Sequence, residues 1–189
     1  PPPLAPAGPQ ASAPPSPLRH DLPATRGGRP GDPPIVAAVV VRPATPLPLP
    51  GPAANAATAP PWAEFAGGVD LLSSVVDYSR ETPSVTLWWR ATAAPPADYT
   101  IFVHLLDEDG NLLAQADGPP NDGLSPTRIW LPGDVVEDTH PFPPGTIIPP
   151  GARILVGAYR PDTGERVAAV RDGVPLPDSA YEIHVRSDE

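Results

Sequence analysis

The chain reads as an all-β protein: an antiparallel β-sandwich of about eight strands, immunoglobulin-like or jelly-roll-like, carrying an extended Pro-rich N-terminal arm. Three observations predict this. Short apolar or alternating runs recur from Trp62 onward, separated by turn-forming stretches such as TAAPPAD, DEDGN, PFPPGTIIPPG and RPDTGE. No ten-residue window keeps a helical period without Pro or Gly interrupting it. The composition also changes near residue 61, where a segment without aromatic residues gives way to one that holds all eleven.

Residues 1–61 form the arm. They hold 19 of the 34 prolines, four arginines and two aspartates. Such a segment has too little apolar area to offset its ordering entropy, so an extended, polyproline-like arm is expected over residues 1–34. One piece differs. The run Ile35, Val36, Ala37, Ala38, Val39, Val40, Val41 is β-branched and fenced by prolines, which predicts a strand. Two uses are open to it: an edge strand on its own sheet, or a strand offered to a neighbouring subunit.

Residues 62–189 form the sandwich, with strands expected at 69–78, 84–92, 99–107, 112–116, 134–142, 153–160, 165–170 and 181–186. Alternation assigns their faces. In SVTLWWRAT, Val85, Leu87, Trp89 and Ala91 share the core face, so Trp88 and Arg90 point the other way. In the next strand Tyr99, Ile101, Val103 and Leu105 are core, and Phe102 and His104 are outward. Pairing of these two strands as a hairpin would gather Trp88, Arg90, Phe102 and His104 into one outer patch. Such a patch is either covered by another segment of protein or left as a platform for sugar rings or a second subunit.

The chemistry on offer is limited. With no cysteine, disulfides and thiolate metal sites are excluded. All twelve basic residues are arginine, and the net charge of −10 argues against nucleic acid as a partner. The longest apolar run has seven residues, far short of the roughly 18 that a membrane span needs. The acidic stretch after His104 fails as a calcium loop. Counted from Asp107, the sixth residue is Leu112 rather than Gly and the twelfth is Gly118 rather than Glu. Asp107–Asn111 is instead a hairpin turn. Asp117, Asp122 and Asp138 leave a hard cation elsewhere as an open alternative, but no metal or other cofactor is expected. The four histidines are scattered, and no serine stands in a nucleophile-elbow context. No catalytic residue is nominated, and an enzyme is not expected.

The runs FVHLLDEDGNLLAQADGPP, PTRIWLPGDVVEDTH and VGAYRPDTGERV, with FAGGVDLLSSVVD and SVTLWWRA upstream, resemble a bacterial β-sandwich domain. That domain follows the membrane helices of glycosyltransferase-like proteins of the dolichyl-phosphate-mannose type and faces outward. The likeness covers roughly Phe65 to Val185 and includes Trp89, His104, Gln115, Asp117, Trp130, Asp138, Gly157 and Arg166. It implies an extracytoplasmic, extracellular or cell-surface location and a non-catalytic accessory module, with glycan binding among its roles. This sequence departs from the family by carrying a Pro-rich arm where the membrane part would stand. That leaves room for a surface or filament subunit.

The candidate ligand or partner residues are therefore Trp88, Arg90, Phe102, His104, Asp117 and Trp130. Ile35, Val36, Val39, Val40 and Val41 are the candidate assembly arm. Trp130 is expected to cap the core before its Pro-Gly turn, and Arg166 to pair with Asp162 or Asp117. Two roles remain. The chain is either a self-associating structural subunit, bound to copies of itself or to another surface protein, or a carbohydrate-binding accessory module.

Overall fold

The structure is a computed structural model and describes residues 60–185 apart from Arg80. The proposed arm residues Ile35, Val36, Val39, Val40 and Val41 lie outside the described residues. Among the described residues there are ten strands: β1 Ala63–Phe65, β2 Val69–Asp77, β3 Ser84–Ala91, β4 Thr100–Leu106, β5 Leu112–Gln115, β6 Val135–Pro141, β7 Arg153–Tyr159, β8 Ala169–Arg171, β9 Val174–Pro175 and β10 Ala180–His184. They form two antiparallel sheets, a six-stranded one in the order β6-β3-β2-β1-β8-β9 and a four-stranded one in the order β10-β7-β4-β5. Three short 3₁₀ turns are the helical elements among the described residues.

The inner faces follow the expected alternation. Val85, Leu87, Trp89 and Ala91 of β3 meet Ile101, Val103 and Leu105 of β4, with Tyr99 just before it, in one buried core. Trp89 is its largest member, set edge-on to Phe65 at a ring-centroid separation of 5.6 Å. The offset geometry suits the ring quadrupoles and adds to the gain from area. Trp130 closes the same core, its indole N–H donating to the Ser125 carbonyl at 3.0 Å.

The acidic stretch is a β-turn connection. β4 and β5 pair across it, with His104 opposite Gln115 and Leu105 opposite Ala114. Asn111 donates its backbone N–H to Asp107 Oδ1 at 2.8 Å and its side-chain amide to Asp107 Oδ2 at 2.9 Å. These bonds hold the Asp107 carboxyl below its ordinary range, so the brace they make weakens as pH falls through that lowered range. Gly110 takes φ +86, which the turn requires.

Two expectations change. The strand predicted at 165–170 is a crossover. Arg166 bridges Tyr159 in the four-stranded sheet, and the chain then joins the six-stranded sheet as β8. β1 and β9 were not expected, because three and two residues carry no visible period.

Among the described residues the partnering of β2 is incomplete. β1 pairs only with Val69–Leu71, whereas β3 follows β2 to Asp77. Upstream of β1, Trp62 still donates its N–H to the Leu71 carbonyl at 2.8 Å, and the Pro60 and Pro61 before it have no N–H. Burial follows the pairing: residues 69–73 are buried, and thereafter the strand is half-buried or exposed, with Val75 at 43 %.

One hydroxyl ties the β3–β4 connection to the core. Thr127 is fully buried, accepts the Tyr99 N–H at 2.9 Å and donates to the Ala97 carbonyl at 2.8 Å. Thr127→Val keeps the shape but orphans both backbone groups, so a loss of about 2 kcal/mol is expected. Thr127→Ser keeps both bonds and should cost about half as much, the loss of one buried methyl. Urea midpoints at unchanged slope measure the difference.

Candidate functional site

The single outer patch expected from the sequence is two patches on opposite sides of the sandwich. β3 pairs with β2 and β6, β4 with β5 and β7, and the two strands belong to different sheets. The connection between them, TAAPPAD, carries the chain across from one sheet to the other. Trp88 and Arg90 therefore face outward from the six-stranded sheet, and Phe102 and His104 outward from the four-stranded one. Trp130 belongs to neither patch, being part of the core.

On the four-stranded sheet, Phe102 lies opposite Gly157 of β7. A Cβ at Gly157 would overlap the Phe102 ring and come within 2.9 Å of the Ser179 carbonyl oxygen. The missing side chain is what gives the ring its seat. Over the ring stands Arg166, its guanidinium carbon 4.5 Å from the centroid. Arg166 also donates to the Asp178 carbonyl at 2.7 Å. It pairs with neither Asp162 nor Asp117, as had been expected, because both are taken: Asp162 by Arg160 at 2.7 Å and Asp117 by His104 at 3.2 Å. Phe102 ends at 1 % exposure, its ring covered by the Arg166 guanidinium in a cation–π contact.

His104 lies beside that ring at a centroid distance of 4.9 Å. Its Nε2 is within 3.2 Å of both Asp117 Oδ1 and the Gln115 side-chain nitrogen. Asp117 also accepts the Val103 N–H at 3.3 Å. His104, Gln115 and Asp117 thus form a small, part-exposed polar cluster whose groups bond chiefly to one another.

On the six-stranded sheet, Trp88 packs with Leu72 and Val135 in a cluster separate from the core. The register irregularity between Leu71 and Ser73 places the extra residue, Leu72, in that cluster. Arg90 closes on Asp70 through Nη2 at 2.6 Å and Nε at 3.2 Å. Trp88 is only 6 % exposed, and both its indole N–H and the hydroxyl of Ser73, its register partner on β2, are buried without a hydrogen-bond partner. Buried polar groups in that state are uncommon and costly.

A third constellation was missed by sequence reasoning. Asp138 and His140 of β6 point inward and are buried. His140 Nε2 sits 2.7 Å from Asp138 Oδ2, and Nδ1 sits 2.9 Å from the Ala116 carbonyl oxygen. Asp138 Oδ1 accepts the Asn121 N–H at 2.9 Å, and the Asn121 amide donates to the Glu137 carbonyl. The pair thereby pins a turn in which Asn121 and Asp122 take φ +51 and +53. The signal was available, since Val136, Asp138, His140 and Phe142 alternate onto one face. With Asp138 fully enclosed and bonded, it is not available to a cation. Among the described residues no group of three or more His, Asp or Glu could hold a metal ion.

No protein-family model matches the chain, and no characterised protein matches it in sequence. Among solved structures it is similar to a β-glucuronidase from glycoside hydrolase family 2, at 11% identity and a TM-score of 0.38, over 64% of this chain and 11% of that one.

Two stability outcomes follow from this geometry. Gly157→Ala should cost about 2 kcal/mol through overpacking, and the cost should shrink when Phe102→Leu is added, a coupling read from a double-mutant cycle in urea. Asp138→Asn should cost about 3 kcal/mol, since it leaves His140 buried beside a lost charge. Amide exchange at Asn121 should quicken in the same variant.

Proposed function

We propose that this protein is a non-catalytic β-sandwich that works by association with protein chain, as a structural subunit at the cell surface or outside the cell. The observation that carries the reading is the outward cluster of Leu72, Trp88 and Val135. It stands apart from the core, on a sheet face that would otherwise meet water, and it includes an indole N–H and a hydroxyl with no partner. Around that ring, Val75 at 43 % exposure and the partly buried Val135 leave apolar surface on the same face, which suits cover by polypeptide.

The carbohydrate reading has less support. Sugar platforms work through exposed ring faces, and the nominated rings, Phe102 and Trp88, are 1 % and 6 % exposed. The extracytoplasmic assignment rests on the resemblance of the 102–120, 126–140 and 156–167 runs. Among the described residues no helix is long and apolar enough to cross a membrane.

Light scattering on the full chain over a hundredfold range of concentration tests the proposal. Mass should rise with concentration, and Val39→Asp with Val41→Asp should hold the chain at monomer mass with an unchanged near-ultraviolet spectrum. A monomer at every concentration overturns the reading.

A further inference from the structure

The hydrogen bonds of Asp138 and His140 do more than pin a turn, because they fix how many protons the pair carries. We infer that Asp138 and His140 form a buried proton-binding site that latches the two sheets together, and that release of its proton with rising pH opens the latch.

The proton count follows from the partners. His140 Nδ1 lies 2.9 Å from the Ala116 carbonyl oxygen, and Nε2 lies 2.7 Å from Asp138 Oδ2. A carbonyl and a carboxylate only accept, so both ring nitrogens are called on to donate, and a neutral imidazole has a single N–H. Placed on Nδ1, that hydrogen leaves the Nε2 lone pair against a carboxylate. Placed on Nε2, it leaves the Nδ1 lone pair against a carbonyl. The ring that satisfies both partners is the imidazolium. The Asn121 N–H, donated to Asp138 Oδ1 at 2.9 Å, suits an ionised carboxylate as its counterpart. Together the two make a unit of zero net charge at a place where Asp138 is 0 % and His140 4 % exposed. Without the proton the same place holds an uncompensated carboxylate, which burial penalises.

The latch follows from where the partners sit. β6 belongs to the six-stranded sheet, whereas Ala116 continues β5 of the four-stranded one, its N–H donating to the Val103 carbonyl at 2.9 Å. The Nδ1 bond therefore crosses from sheet to sheet. With Asn121 on Asp138, the pair grips both ends of the segment 116–121. Within that segment stands Asp117, which accepts the Val103 N–H at 3.3 Å and reaches His104 at 3.2 Å. A buried proton is thus linked to the outward polar cluster of His104, Gln115 and Asp117. When it leaves, one ring bond turns into lone pair against lone pair. The turn at Asn121 and Asp122, held at φ +51 and +53, then loses part of its restraint.

Other charged groups stand back from the pair. β3 sets Leu87 opposite Asp138 and Val85 opposite His140, both apolar, and its Arg90 faces outward on Asp70. Glu137 alternates to the outer face of β6, and Asp122 in the turn is exposed. Asp117 is engaged with His104 and Val103. His140 therefore addresses the segment from inside the sandwich, and His104 from outside.

Nitrogen-15 spectra of the histidine rings in the full chain, recorded together with amide protection factors from about pH 5 upward, test the site. Protection at Asn121 and Ala116 is expected to be greatest where both nitrogens of His140 carry hydrogen, and to fall about tenfold as one becomes bare. Ile154, in the core, should keep its protection over the same range, and His104→Gln should leave the Asn121 profile unchanged. Greatest protection with a bare nitrogen on His140, or protection indifferent to its titration, overturns the proton site. A fall shared by Ile154, as at global unfolding, overturns the latch, because the pair would then hold the whole fold. A profile that flattens in His104→Gln assigns the effect to the outer cluster and overturns His140 as its source.

Discussion

The rule that adjacent residues on a strand point to opposite faces governs this molecule through the dipeptide Trp88-Trp89. Trp89 goes inward and becomes the largest fully buried side chain of the core, set edge-on to Phe65. Trp88 is thereby forced to the outside of the six-stranded sheet, where a bare indole would leave a large apolar surface in water. The bulge that brings Leu72 to it, the neighbouring Val135 and the closed Asp70–Arg90 pair are the fold's local answer. Burying the second indole without a partner for its N–H offsets part of that gain.

Much of the architecture was legible because period-two alternation is a strong signal. It placed Val85, Leu87, Trp89 and Ala91 on one face and Ile101, Val103 and Leu105 on another, and all are buried. The Asp107–Asn111 turn was equally plain, since its residue types suit few other backbones. Alternation reports a side chain's face and says nothing of a strand's neighbour. That is why Trp88 and Arg90 were grouped with Phe102 and His104, when two prolines between the strands send the chain to the other sheet. Strands as short as β1 and β9 carry no period at all.

The polar positions were harder for a different reason. Asp138 and His140 read as ordinary surface residues by type, and only their shared face with Val136 and Phe142 gives them away. Arg166 illustrates the converse error: an arginine close to several acids in sequence was expected to pair with one. Its place is over Phe102, because Arg160 and His104 already hold the two carboxylates and the Gly157 seat leaves the ring face open to a guanidinium. Neither assignment follows from spacing. Both depend on which strands come to lie side by side.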